Sequence, residues 1–485
     1  MLFGRGGKGR GRAGHEAVAV EDGGMTADSP RGIEIGTRGE SSTGNRSAYA
    51  FVADSPSGGS GVDLVGEAGG GDRAGTGVVE EVRHLSSDGR TFVNLLISFV
   101  GAGILGIPFA YRQGGLLLST GVLSMVGLLC TYCMWMLIRC KYRVMSLRRE
   151  DGLRPVKYAD ICHEALGKWG LIAVESALVA SQAGFSTAYL VFIARNLHDL
   201  FGFKETPVIF LCVPGLMLIC LIKRLKYLAP FSLIAEVVNL TGLAVVFFDD
   251  AEFMGINHES ISLAHWSALP FVFGVGVYCF EGMGMVIPIE EAMITPHHFT
   301  PIMSVVMVIY TTLCVLSGGL GYMAFGDETE DIILLNIGST VSTMIVKLSF
   351  CVGLYFTFPI MMVPVWEVLE FKWLRSTQPS YERDRNKLRA SVVFATAIVA
   401  CAIPNFGLFV SLIGSSCCAL LALILPTLCY GRLEKDAGFP LSVGRSLLNN
   451  FILAAGVCAM VSGTADTIHR IVLEYTKEKD GEGGL

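Results

Sequence analysis

The sequence predicts an all-α integral membrane protein of about eleven transmembrane helices, and three observations lead there. Of 485 residues, 52% are hydrophobic and 16% are charged. A soluble domain carries roughly 25% charged residues. The apolar residues fall in long blocks rather than in alternation, and a run of about eighteen or more spans a bilayer core of roughly 30 Å. Basic residues collect in alternate loops between those blocks, with one exception. The net charge of −6 decides nothing, because the position of charge governs a membrane chain more than its sum.

Residues 1–85 differ in kind. They read MLFGRGGKGRGRAG, EDGGMTADSP and SPSGGSGVDLVGEAGGGDRAGTG, rich in Gly, Ser and charge. Such a stretch buries too little apolar surface to offset its ordering entropy, so it is expected to be a disordered cytosolic tail. No apolar core of a signal peptide is seen in it. The Arg/Gly opening invites a reading as an RNA or anionic-lipid contact, but a solvated tail is the simpler account, and no nucleic-acid partner is expected.

The spans are expected near residues 92–110, 114–138, 171–194, 206–222, 228–248, 267–287, 302–325, 341–369, 388–404, 406–430 and 447–471. Residues 86–476 thus form one transmembrane domain, and 477–485 a short tail. Loop charges set the orientation, since Lys and Arg favour the cytosolic side. With the N-terminus in the cytosol, the loop after the second span carries Arg139, Lys141, Arg143, Arg148, Arg149, Arg154 and Lys157. The loops after the fourth, eighth and tenth spans are basic as well, through Lys223, Arg224, Arg383, Arg385, Lys387, Arg432 and Lys435 among others. The opposite face holds Asp249, Asp250, Glu252, Asp327, Glu328, Glu330 and Asp331. One loop dissents: residues 288–301 should be cytosolic, yet they hold Glu290 and Glu291 and no Lys or Arg.

The 14 cysteines lie mostly within spans, which argues against a disulfide framework. Cys130 and Cys133 have CxxC spacing in an apolar helix with no second pair, so helix packing is their simplest role and no metal or cofactor is expected. No HExxH or GxSxG sequence occurs, and His297–His298 stands alone in a loop, so an enzyme is not expected.

Two spans break the rules of a continuous helix. The first, FVNLLISFVGAGILGIPFAY, is interrupted by Gly101, Ala102, Gly103 and Gly106, with Pro108 beyond. The sixth, LPFVFGVGVYCFEGMGMVIP, holds Gly274, Gly276, Glu281, Gly282 and Gly284 between two prolines. Unwound backbone at membrane depth persists only where it lines a cavity or is buried in protein. Two such breaks five spans apart point to an inverted-repeat transporter of five plus five helices, with the eleventh span outside the repeat. The amides near Ala102, Gly103 and Ile104 would suit a substrate carboxylate, as the start of a half-helix does. The carbonyls of Phe280 and Glu281, beside Gly282, would suit an ammonium group. Together these describe an α-amino acid site, with Gln182 and Tyr189 of the third span as candidate lining. The competing account is that the glycines only allow close helix packing.

Charge at membrane depth marks further candidates. Glu236 is the leading proton-coupling candidate, with Glu281 next in line. Glu175 and Lys347 are read as snorkelling or paired side chains.

NLLISFVGAGILGIPFAYRQGGL resembles the first-helix signature of the amino acid/auxin permease family. SQAGFSTAYLVFIARNL, LAPFSLIAEV, FEGMGMVIPIEEAM, GYMAFGDET and TFPIMMVPVWEVLE resemble later blocks of that family in order, the last four of these most like its vacuolar and proton-coupled branches. The resemblance covers about residues 88–475. It implies the LeuT-like fold, neutral amino acid substrates, proton coupling, a vacuolar or lysosomal membrane, and a monomer. Sodium-coupled relatives often carry an Asn where this chain has Ile97, whose side chain offers no oxygen. Thr357 could supply one hydroxyl, so a sodium-coupled transporter stays open, as does an amino acid sensor signalling through its tail.

The loop charges predict that a tag on the N-terminus of the protein in intact vesicles is cleaved by added protease and a tag on the C-terminus is protected. Cleavage of both together would reject eleven spans.

Overall fold

A computed structural model describes residues 85–148, 155–222, 242, 261–338, 340–374, 379–403, 405–438 and 441–482. The expected fifth span at 228–248, and Glu236 within it, lie outside these residues.

The described chain is helical throughout. Helix α1 spans Asp88–Phe99, and a short tight-wound turn at Ala102–Gly106 leads into α2, Ile107–Gly114. Then come α3 (Leu116–Leu147), α4 (Tyr158–Phe201) and α5 (Glu205–Cys220). Helices α6 (Leu269–Phe280) and α7 (Met283–Glu291) follow, then α8 (Phe299–Phe325). The last group is α9 (Val341–Met361), α10 (Val363–Trp373), α11 (Tyr381–Cys401), α12 (Phe406–Ile413), α13 (Leu425–Asp436) and α14 (Val443–Glu482). Among the described residues seven helical segments are long and apolar enough to cross a membrane, and the bent α1–α2 pair makes an eighth. Helix α5, at 16 residues, is shorter, and α11 opens on the charged run Glu382–Arg385.

Both expected breaks are present. Helices α1 and α2 meet at 43°. Val100 and Gly101 are extended there, with ψ of 96° and −174°. Helices α6 and α7 are parted by Glu281, extended at ψ 126°, and Gly282 at φ −163°, ψ 12°. A third irregularity was not expected from sequence. Between α12 and α13 the helix widens to π turns at Gly414–Cys418 and Leu420–Ile424. Such turns shift the side-chain register and recur at functional sites.

Some glycines are fixed by local geometry. Gly115 joins α2 to α3 at φ 82°, and a Cβ there would sit 2.7 Å from the Leu263 carbonyl carbon. A left-handed residue without a side chain is the only fit. Gly274 on α6 and Gly414 face each other so closely that a Cβ on Gly414 would strike the Gly274 carbonyl. Here the packing account of a membrane glycine holds.

Buried charged side chains pair across elements. Lys347, 1% exposed, bonds Asp199 at 2.6 Å and the Ile337 carbonyl at 3.2 Å. Glu175 meets Lys372 at 2.5 Å. Asp331, also 1% exposed, accepts from the Arg195 guanidinium at 3.1 Å and from the Phe406 amide at 2.7 Å. It thereby ties the loop after α8 to the end of α4 and the start of α12.

The dissenting loop is explained by a cation from far along the chain. Lys141 on α3 pairs with Glu290 and lies 3.1 Å from Glu291, and the Tyr142 hydroxyl also donates to Glu290. The loop therefore joins the basic face through a residue 149 positions away.

Helix α14 is among the least buried of the described spans, with α8 nearly as exposed. All fourteen cysteines are free thiols.

Lys141 and Glu290 are both buried, so removing one leaves an uncompensated charge, which costs about 3–5 kcal/mol. Lys141→Met should lower the melting temperature in detergent sharply, and Lys141→Met with Glu290→Gln should recover most of it. A single variant as stable as the double would reject the pairing.

Candidate substrate site

The two breaks meet in the interior. A Cβ on Gly103 would lie 2.9 Å from the Tyr278 ring of α6 and 3.2 Å from Cys279 Sγ. A Cβ on Gly282 would lie 2.5 Å from the Phe99 ring of α1. Each break thus receives an aromatic ring from the other. A side chain at either position would have to displace the partner ring.

Helix α8 supplies the groups that the broken backbone lacks. The Tyr310 hydroxyl donates to the Cys279 carbonyl at 3.1 Å, and Ser317 Oγ donates to the Ile104 carbonyl at 3.5 Å. The Tyr310 ring also contacts Phe99 at 5.6 Å and Phe280 at 5.3 Å between centroids. One residue therefore buttresses both breaks. Sequence reading missed Tyr310, since a tyrosine in an apolar helix carries no local signal of its partners.

The expected site residues take these places. Gly101 is half-buried at the turn; Ala102, Gly103 and Ile104 are buried. The Ile104 amide turns back onto the Gly101 carbonyl at 3.3 Å. Phe280 is buried at the end of α6, and Gly282 opens α7. Glu281 stands between them, half-buried, and its Oε1 is shielded from solvent with no hydrogen-bond partner. The Glu281 carboxyl accepts the Met283 amide at the start of α7, which leaves Oε1 without a protein partner at the break.

Gln182 and Tyr189 fall on one face of α4, seven residues apart. Phe185 on the same side packs edge-on against Tyr278 at 4.7 Å. That face therefore turns toward the ring that covers Gly103. Ser186 lies between them, fully buried, with no partner for its hydroxyl. Its neighbour Thr187 bonds back to the Ala183 carbonyl at 2.8 Å, the usual fate of a hydroxyl in a helix. Ser186 is the second polar group at the site that sequence reading missed. A serine in a span normally satisfies itself in that way, so only its neighbours reveal otherwise.

The chain is similar to known proteins in sequence and in fold. The sequence pattern described as "Transmembrane amino acid transporter protein" covers residues 84–469. The chain belongs to the transmembrane amino acid transporter family. It is 34% identical over 420 residues to Amino acid transporter AVT3B of Arabidopsis thaliana, covering 83% of this chain and 98% of that one. It is 29% identical to the Proton-coupled amino acid transporter-like protein pathetic of Drosophila melanogaster, covering 82% and 88%. It is 31% identical to Vacuolar amino acid transporter 3 of Saccharomyces cerevisiae, covering 79% of this chain and 57% of that one. Among solved structures, the inward-facing conformation of Mhp1 matches at a TM-score of 0.54 and 10% identity, covering 80% and 92%. That likeness establishes the LeuT-like fold. This transporter is accordingly a multi-pass membrane protein with the two broken helices of that fold.

The contact between Gly103 and Tyr278 leaves no room for a branched side chain. Gly103→Leu should insert and reach normal levels in membranes while amino acid uptake into liposomes falls to background. Wild-type uptake by this variant would show that the first break can open without loss.

Proposed function

We propose that this transporter moves small neutral L-amino acids from an acidic lumen to the cytosol, driven by protons. The single observation behind this reading is the Glu281 carboxyl, set between two interlocked helix breaks with an unpartnered oxygen. In the proposed complex the amides of Ala102 and Gly103, and that of Ile104 once released from the Gly101 carbonyl, receive the substrate carboxylate at the start of a half-helix. The carbonyls of Phe280 and Glu281 receive the ammonium group, and Gln182, Ser186 and Tyr189 face the substrate side chain. Close contact between Tyr278 and Gly103 favours small substrates.

The relatives' names support the membrane and the driving ion: two are called vacuolar or proton-coupled. We assign the vacuolar membrane on that basis, with the N-terminus cytosolic. Among the described residues Glu281 is the proton carrier we favour. Lys347, Glu175 and Asp331 are committed to ion pairs, so a change of protonation at any of them would leave its partner charge uncompensated. Glu236 remains the alternative carrier. Ile97 offers no side-chain oxygen near the first break, which disfavours sodium there.

The test is uptake by purified protein in liposomes with a panel of amino acids, under an imposed pH gradient, with and without sodium. We expect flux of small neutral substrates to follow the pH gradient and not sodium. Glu281→Gln should exchange substrate across the membrane but lose the response to pH. Sodium-dependent flux indifferent to pH would overturn proton coupling, and full pH response in Glu281→Gln would pass the role to Glu236.

A further inference from the structure

On the basic face, the ends of α3 and α13 meet the start of α14 in a polar seam. Tyr132, Trp135 and Arg139 come from α3, Tyr430 and Glu434 from α13, and Arg445 from α14. Within each helix these residues recur at three or four positions, so they share one face. Aromatic rings knit the seam together. Tyr132 stacks on Trp135 at 5.5 Å, and Trp135 meets Tyr430 edge-on at 6.0 Å between centroids. One turn beyond Arg445, the Asn449 amide donates to the Thr427 carbonyl of α13 at 3.2 Å and pins α14 in place.

Positive charge exceeds negative charge at this seam. The Arg139 guanidinium lies over the Trp135 ring at 5.4 Å and donates through Nε to Glu434 at 2.9 Å. Arg143 donates to the same carboxylate at 3.0 Å. Two guanidiniums thus share one buried carboxylate. The terminal nitrogens of Arg139 are left for another anion, since a guanidinium carries five N–H groups. Arg445 is exposed and pairs with no carboxylate among the described residues. Its charge acts on both Tyr132 and Tyr430, which sets it at the same seam.

A second observation points to a ligand. Tyr430 is 1% exposed, and its hydroxyl has no hydrogen-bond partner. A buried hydroxyl normally finds one. The charges of Arg139, Glu434 and Arg445 all act on this hydroxyl, so it stands among the cations as a spare donor. The surface beside the seam is apolar. Leu128, one turn deeper than Tyr132 on α3, and Leu448, one turn deeper than Arg445 on α14, are both exposed. Tyr132 and Trp135 are half-buried, as aromatic side chains are at a membrane interface. Cations at the rim with bare apolar surface below them are complementary to an anionic amphiphile.

We propose that this seam binds an anionic phospholipid of the cytosolic leaflet whose headgroup ends in a phosphate monoester. Arg139 and Arg445 take the phosphate, and the Tyr430 hydroxyl donates to it from the inner side. Leu128 and Leu448 lie along the acyl chains. A phosphate monoester carries close to two negative charges at neutral pH, which suits two guanidiniums. The bound lipid bridges α3 to α14, and so ties the last helix to the rest of the bundle from the membrane side. The inference uses the orientation read from the loop charges and does not depend on the transport reading.

The experiment follows the melting temperature of the full chain in detergent as short-chain phosphatidic acid is added. Phosphatidylcholine with the same chains and soluble glycerol 3-phosphate are the comparison probes. Phosphatidic acid should raise the melting temperature saturably, and the other two should not. An equal rise with phosphatidylcholine would overturn the headgroup site, and an equal rise with glycerol 3-phosphate would overturn the lipid in favour of a soluble phosphate. Arg445→Gln should raise the half-saturating concentration about tenfold, the worth of one charge-assisted hydrogen bond. Tyr430→Phe should raise it about fivefold, the worth of a neutral one. Neither side chain loses an ion pair or hydrogen bond within the protein, so both variants should melt like the wild type without lipid. Unchanged half-saturation in both variants would overturn the proposal. No flux enters the measurement, so a failure of the transport reading leaves this result standing.

Discussion

The structure depends on one constraint: backbone unwound in the middle of a membrane must find partners inside the protein. Hydrocarbon offers none, and each unsatisfied amide or carbonyl there costs several kcal/mol. Here the two unwound segments are laid against each other, so that Tyr278 covers Gly103 and Phe99 covers Gly282. Helix α8 then closes the arrangement through Tyr310 and Ser317. The position of α8, the choice of glycine at 103 and 282, and the aromatic cluster around Tyr310 all follow from that need.

The same constraint separates structural charges from the candidate functional one. Lys347 with Asp199, Lys141 with Glu290 and Asp331 with Arg195 each join two elements distant in sequence. Such pairs are weak evidence for net stability, because desolvation offsets attraction. They do fix which element lies beside which. Glu281 is different in that Oε1 has no partner. A carboxyl that can gain or lose a proton without breaking an ion pair is the kind a transport cycle can use.

The glycines of this chain divide on similar grounds. Gly274 and Gly414 bring α6 and the widened turns of the tenth span into backbone contact, and their role is packing. Gly103 and Gly282 admit a ring from the opposite break. Spacing alone does not tell these uses apart, since both appear as glycine in an apolar run.

What the sequence determined by itself was the set of local properties. Apolar block length set the spans, glycine and proline density set the breaks at 101–106 and 281–282, and loop charge set the expected orientation. These are legible because each depends only on neighbours along the chain. Tertiary structure decided what depends on distant pairs. The acidic loop at 290–291 made sense only when Lys141 arrived from α3. The importance of Tyr310 and Ser186 lies wholly in what surrounds them. Gln182 and Tyr189 could be placed on one helix face from spacing, yet only packing turned that face toward Tyr278 through Phe185. Arg139 closes the second span and Arg445 precedes the last, and nothing in the sequence announces that they will meet at one seam beside Tyr430. Local pattern fixes how each helix can behave; contact between helices fixes which of those behaviours becomes a site.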